Sequence, residues 1–312
     1  MTDTPSIVLL CPGQGAQKVG MGTAWAEASP AAKAVFDEAA DVLGYDLLAL
    51  CQDGPAETLD RTDRAQPAIL ACSAACYRGL VDRGDLDPSA VAASAGLSLG
   101  EFTALHLAGA LSLADALRVV QERGRAMQTA AEAVDSSMVA LTGEVEESLI
   151  RKLCEDVKAS LAPGAVLEPA NFNSPIQVVV SGSRNACDAV LAPAQEAGLK
   201  ATPLAVAGAF HSPIMASAGD ALRTVMRSVT WSAPSFRVES NALGGPHADD
   251  PSSIQDQLVA QLTAPVRWSG SIAGLADTHA GARWVELAPG KVLSGLLRRI
   301  DRRVKAENHD QP

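Results

Sequence analysis

The sequence predicts an α/β fold in which a large α/β domain is interrupted by a smaller ferredoxin-like (βαββαβ) unit. Three observations predict it. Gly96-Leu97-Ser98-Leu99-Gly100-Glu101 stands between a run of small residues (90–95) and a helix-forming run (102–109), the pattern of a strand, a sharp turn and a helix. Short apolar strands alternate with helical stretches before this turn and again towards the C-terminus. Between these halves, residues 137–206 read as strand, helix, strand, strand, helix, strand. The expected division is 1–135 and 207–312 for the large domain and 136–206 for the inserted one.

Taken in order, residues 7–10 form an apolar strand running into Cys11-Pro12-Gly13-Gln14-Gly15. Residues 23–43 read as one helix ended by Gly44, 46–51 and 56–59 as short helical pieces, and Gln66-Pro67 as the start of a helix over 68–80. After the strand–turn–helix, Ser112 opens a long helix to about residue 133, with Asp115 three residues on as a capping box. In the inserted unit, 137–141, 165–173, 177–181 and 200–206 are strands, and 145–160 and 184–197 are helices. Beyond it come a helix over 211–226, a strand over 236–240, helices over 252–262 and 266–276, a strand over 284–287 and a helix over 290–300. The polar residues after Val304 read as a frayed end.

Composition removes several function classes. Hydrophobic residues make up 47% of the 312 residues and aromatics only 4%, so the chain is globular with an aliphatic core. No apolar run reaches the roughly 18 residues of a membrane span, and 7–10 is too short for a signal peptide. The six cysteines form no C-x-x-C pair; Cys72 and Cys76 fall on one alanine-rich helix face and read as core packing, with no metal site. Scattered cysteines suit a reducing compartment, and the expected location is cytoplasmic. A net charge of −11 argues against nucleic acid as a partner. Lys291, Arg298, Arg299, Arg302 and Arg303 are the densest basic group, read as a solvated helix end or a docking patch.

Within this frame Ser98 is the candidate nucleophile. A turn this tight admits only glycine at its two flanks, leaves the serine hydroxyl exposed over a helix N-terminus, and aims the Leu99 N–H where an oxyanion would form. The alternative is an ordinary strand-to-helix turn. A serine nucleophile needs a base. His106 lies about 12 Å along the same helix, out of reach. His247 and His279 sit in polar loops and His309 in the tail. His211 follows a strand and Gly208-Ala209-Phe210, the strand-end position where catalytic groups gather, and is the candidate base; otherwise it is a capping or buried histidine. On the long helix, Arg118 and Arg125 fall on the wet side, but Arg123 falls about 60° from the centre of the apolar stripe. An inward arginine needs an anion, either an internal partner such as Glu101 or a substrate carboxylate. Gln14 in Pro12-Gly13-Gln14-Gly15 offers amide donors beside a close-approach backbone. G-x-G-x-x-G is absent, so dinucleotide binding has no support.

Together these strings resemble the malonyl-CoA:acyl carrier protein transacylases and the acyltransferase domains of fatty acid and polyketide synthases. The matching residues run in family order: Pro-Gly-Gln-Gly-Ala-Gln (12–17) with Gly20-Met21-Gly22, Gln66-Pro67-Ala68, Gly-Leu-Ser-Leu-Gly-Glu (96–101), Arg123-Gly124 with Met127-Gln128, Asn171-Phe172-Asn173-Ser174-Pro175 with Gln177-Val178-Val179, Gly-Ala-Phe-His-Ser (208–212), Pro265-Val266-Arg267-Trp268, and Glu286 with Pro289-Gly290-Lys291-Val292-Leu293. The resemblance implies an α/β-hydrolase-like large domain with a ferredoxin-like insert. It implies Ser98 as nucleophile, His211 as base, Gln14 and Leu99 as the oxyanion hole, and Arg123 as the carboxylate site. Gln66, Met127, Asn173 and Phe210 would line the substrate pocket, with Phe210 crowding an α-methyl branch. The histidine is then steered by a backbone carbonyl from 261–267, with Gln261 the best match. The implied reaction is ping-pong transfer of malonyl from coenzyme A to the pantetheine thiol of acyl carrier protein by a monomer, for fatty acid synthesis, with no cofactor and no metal. Leu97 departs from the family's usual histidine before the nucleophile, and Cys11 from its usual aromatic. A serine hydrolase on a related elbow, a trans-acting polyketide acyltransferase and an inactive carrier-protein binder are the rival readings.

Overall fold

The computed structural model describes residues 5–312. Its first strand, β1 (Ile7–Cys11), is buried along its whole length, as an Ile-Val-Leu-Leu-Cys run must be. The helix expected over 23–43 is two, α1 (Thr23–Ala28) and α2 (Pro30–Leu43). Ser29 breaks it: its backbone is extended, its hydroxyl caps the Ala32 N–H at 3.2 Å, and Pro30 takes the first helical position. α3 (Leu47–Asp53) and α4 (Ala56–Leu59) follow. α5 (Thr62–Asp82) starts before Gln66 and carries Pro67 inside it. β2 (Val91–Gly96), α6 (Gly100–Leu107) and α7 (Leu113–Ala133) then form, the last capped by the Ser112 hydroxyl on the Asp115 N–H at 3.0 Å, as expected.

The next elements are β3 (Ser136–Thr142), α8 (Glu147–Ala159), β4 (Leu167–Ser174), β5 (Gln177–Ser183), α9 (Arg184–Ala189), α10 (Leu191–Glu196) and β6 (Lys200–Pro203). The single helix expected over 184–197 is divided because the Pro193 ring clashes with a helical carbonyl at Ala189, four residues back. The last strand of this unit stops at Pro203 instead of reaching 206. Beyond it, the helix expected from His211 is replaced by a short 3₁₀ turn (Pro213–Ser217) and α11 (Ala218–Arg227). The remainder is β7 (Arg237–Ser240), β8 (Gly245–Pro246), α12 (Pro251–Ala260), α13 (Trp268–Thr278), β9 (Arg283–Leu287), α14 (Val292–Ile300) and β10 (Ala306–His309).

β10 corrects the expectation of a frayed end. It pairs in parallel with β9 and is held at the sheet edge: Arg283 holds the Glu307 side chain at 2.7 Å, Trp25 Nε1 donates to the His309 backbone carbonyl at 3.0 Å, and Lys18 meets Asp310, the next residue, at 2.7 Å.

One sheet has the order β10-β9-β1-β2-β7-β8, parallel except for the β7–β8 pair. The second is antiparallel, β4-β5-β3-β6, the strand arrangement of a βαββαβ unit, with its own core of Val139, Leu141, Ile150, Leu153, Val178 and Val180. The large sheet is covered on both faces, by Leu9, Phe102 and the α5/α7 side chains on one and by Val8, Leu10, Trp268 and Trp284 on the other. The small sheet is tied to the segment between α12 and α13, where the Phe172 N–H donates to the Val266 carbonyl at 2.9 Å and the Val266 N–H to the Ala170 carbonyl at 2.8 Å. The carboxyl ends of β1, β2 and β7 converge beside that seam, where ligands of open parallel sheets bind.

Candidate active site

Ser98 stands one residue beyond the Leu97 that leaves β2, and its backbone is left-handed, with φ 52°. The glycines make this possible. A Cβ on Gly96 would overlap the Gly100 backbone, and one on Gly100 would overlap the Cys11 carbonyl of β1. Asn241, just past β7, ties the turn down: its Oδ1 accepts the Ser98 N–H at 2.6 Å and its Nδ2 donates to the Gly96 carbonyl at 2.7 Å.

His211 also has a left-handed backbone, φ 57°. Its Nε2 lies 2.8 Å from Ser98 Oγ and its Nδ1 2.8 Å from the Gln261 carbonyl. A carbonyl only accepts, so Nδ1 carries the proton and Nε2 offers its lone pair to the serine hydroxyl. Burial, reinforced by the Arg123 charge and partly offset by the Gln261 carbonyl, pushes the imidazole down from 6.5 to about 4. The ring is therefore neutral at physiological pH.

Arg123 is 1% exposed, while Arg118 and Arg125 face solvent, as the helical stripe requires. Its Nη1 donates to Gln66 Oε1 (2.8 Å), and its Nη2 to Gln261 Oε1 (2.7 Å) and Ser98 Oγ (3.2 Å). There is no direct ion pair with Glu101, because the Gln261 carboxamide stands between them. Of the five guanidinium N–H donors, these contacts use three; Nε has no partner. Burial lowers the guanidinium to about 10, so it stays charged at neutral pH.

A cleft of about 470 Å³ opens over Ser98 and His211, walled by Gln14, Leu97 and Phe210 from the large domain and by Met138, Asn173 and Val179 from the small sheet. Met127 also lines it. Gln66 lies behind the cleft, buried between Arg123 and the Met127 sulfur, so it supports the arginine and does not line the pocket. The Asn173 Oδ1 is buried without a partner. Neither the Leu99 N–H nor the Gln14 N–H is paired among the described residues, and Gln14 Nε2 reaches Thr62 Oγ1 only at 3.3 Å. Two donors are thus free beside the serine.

The other histidines are elsewhere. His106 binds the Leu111 carbonyl at 3.0 Å, and His279 sits at the end of α13. His309 belongs to β10. His247, expected in a polar loop, is instead buried with Nε2 2.6 Å from Glu101 Oε1. All six cysteines are buried thiols. Residue-by-residue reading missed Asn241, the Gln261 side chain and the Glu101–His247 pair; Asn241 alone carried a usable signal, a polar residue at the carboxyl end of a parallel strand.

A family described as "Acyl transferase domain" matches residues 8–307. The chain belongs to that acyl transferase family. Among its curated relatives, the malonyl CoA-acyl carrier protein transacylase of Escherichia coli K12 is 40% identical over 302 residues, covering 96% of this chain and 94% of that protein. Among solved acyl transferases, the malonyl-CoA:acyl carrier protein transacylase of Xanthomonas oryzae superposes with a TM-score of 0.91 at 39% identity, covering 99% of this chain and 96% of the other. A malonyl-transacylase solved in complex with its type II PKS acyl-carrier protein superposes with a TM-score of 0.91 at 35% identity, covering 98% and 96%.

Proposed function

We propose that this acyl transferase moves a malonyl group from malonyl-CoA to the phosphopantetheine thiol of acyl carrier protein, supplying extender units for fatty acid synthesis. The observation that carries this is a buried guanidinium with unclaimed donors touching the serine that its histidine partner can activate. An acyl group that ends in a carboxylate satisfies that charge; an uncharged acyl group leaves it unpaired.

Ser98 Oγ attacks the thioester carbonyl as His211 Nε2 takes its proton. The oxyanion is received by the Leu99 N–H and Gln14. Coenzyme A leaves as a thiol, reprotonated by His211, and malonyl-Ser98 remains. The carrier's thiol then gives its proton to His211 and attacks the ester, and Ser98 regains a proton as it leaves. Arg123 holds the malonyl carboxylate throughout and keeps the ester aligned for a thiol. The thioester substrate brings the only non-protein group this chemistry requires. Residues 136–206, as an inserted unit, supply Met138, Asn173 and Val179 to the wall of the cleft. No helix among the described residues is long and apolar enough to cross a membrane, and we place the reaction in the cytoplasm.

The test is intact-protein mass spectrometry after mixing with malonyl-CoA, then with malonyl-CoA and holo carrier protein. A malonyl adduct on Ser98 that moves to the carrier supports the reading. Free malonate without carrier would make the protein a hydrolase, and no adduct would make it a binder. Fatty acid and type II polyketide carriers are compared in parallel, because a structural neighbour is solved with the latter.

A further inference from the structure

A second layer of buried polar groups lies under the reacting atoms. Glu101, in the first turn of α6, is completely buried. Its Oε2 accepts from Gln261 Nε2 at 2.5 Å and from the Asn241 N–H at 3.1 Å, and its Oε1 faces His247 Nε2 at 2.6 Å. His247 is brought there by the β7–β8 turn, its own N–H bonded to the Val238 carbonyl at 2.8 Å. Burying a carboxylate is costly unless donors surround it. These donors surround it, yet Glu101 makes no hydrogen bond to Ser98, His211 or Arg123.

We propose that the buried Glu101–His247 pair is a positioning element: it fixes the Gln261 carboxamide and, through it, the Arg123 guanidinium, and so sets how strongly the enzyme prefers an acyl group ending in a carboxylate. This rests on the transferase reading above. Gln261 Nε2 spends one hydrogen on Glu101 and the other on the Ser98 carbonyl at 3.0 Å. Both acceptors are unable to donate in return, so the amide has one orientation, with Oε1 towards Arg123 Nη2. The reversed amide would set its NH₂ against the guanidinium and its carbonyl against the carboxylate. Glu101 therefore decides which atom Arg123 meets. The backbone carbonyl of the same Gln261 orients His211, so the arginine and the base are referenced to one residue. His247 holds the other carboxylate oxygen; without it, a buried charge loses a donor and is free to turn.

The experiment compares kcat/KM for malonyl-CoA and acetyl-CoA in the full-length wild type, Glu101→Gln, His247→Leu and His247→Gln. Each value is divided by the fraction of Ser98 labelled by a fluorophosphonate probe, so loss of folded protein cannot move the ratio. Glu101→Gln is expected to lower the malonyl-to-acetyl ratio on the order of 10- to 100-fold, the usual effect of a group that orients another. His247→Leu lowers it in the same direction, and His247→Gln, which keeps a donor, restores it. Should Glu101→Gln not fold, the two His247 variants carry the test alone. Equal loss for both substrates, or no rescue by His247→Gln, overturns the positioning role. A wild type that forms no malonyl adduct on Ser98 overturns the functional reading itself, and the inference with it.

Discussion

Replacing Arg123 by alanine separates malonyl from acetyl transfer more sharply than any other change. The side chain is fully enclosed and touches Ser98, so a carboxylate that meets it is desolvated. Truncating one partner of such a pair costs about 2–5 kcal/mol. That converts to a loss of roughly 30- to 5,000-fold in kcat/KM for malonyl-CoA. Acetyl-CoA makes no such contact and meets an unpaired cation in the wild type, so its transfer holds steady or rises. The substitution also leaves the Gln66 and Gln261 oxygens without their donor, a stability loss of about 1–3 kcal/mol each. Rates are therefore taken per probe-reactive serine, with malonyl-, methylmalonyl- and acetyl-CoA on both proteins. If all three fall by the same factor, Arg123 is a structural cation and the carboxylate assignment is wrong.

Ser98→Ala should retain the fold and form no malonyl adduct; label on the alanine protein would rule out Ser98 as the nucleophile. His211→Ala should slow transfer on the order of 10²- to 10⁴-fold, while His106→Ala leaves it intact. Because His211 sits at about 4, the acylation rate should stay flat as pH falls to about 5, and the acidic limb should move upward in Arg123→Ala once the neighbouring cation is gone; an acidic limb near 6.5 in the wild type would contradict this. The same depression means the unfolded chain binds the proton first: the His211 contribution to stability is full above 6.5 and is lost as pH falls towards 4, which denaturant titrations of wild type against His211→Gln would detect. Gly100→Ala drives a methyl into the Cys11 carbonyl and should lower stability by about 3 kcal/mol, visible as a fall in Tm. Phe210→Ala should raise methylmalonyl-CoA use roughly tenfold relative to malonyl-CoA by opening the wall of the cleft; an unchanged ratio would take Phe210 out of acyl selection.

Local signals in the chain carried the elements whose information is itself local. The Ser112 cap, the Arg123 face of α7 and the Gly-x-Ser-x-Gly turn follow from spacing over a few residues, and the structure has all three where the spacing puts them. Elements defined by distant partners were not legible. β10 has no apolar alternation because it is an edge strand, held by the backbone and Arg283 of β9 and by Trp25 from far along the chain, with Lys18 pinning the Asp310 that follows it. His247 looks polar and exposed in sequence because its partner, Glu101, lies 146 residues away. The Ser29-Pro30 break was present as a cap-plus-proline signal, but a continuous alanine-rich pattern on both sides outweighed it. At the site, serine, base and arginine were each marked by a local pattern; of the residues that hold them still, Asn241 was marked only by its place at the carboxyl end of β7, and the Gln261 side chain, at the end of α12, left no mark on its neighbours.

The left-handed backbones at Ser98 and His211 place strain at two residues that carry the activity. A residue with a Cβ held there costs about 1–3 kcal/mol, and glycine would relieve it. A screen that selects variants of this protein only for heat resistance should therefore enrich Ser98→Gly, which removes only a hydroxymethyl group, and each such survivor would be a sturdier, inert protein. At His211 the buried ring and its bond to the Gln261 carbonyl offset the strain. Stabilising the enzyme while keeping it alive means leaving those two sites alone and looking to its surface, its helix caps and its loops.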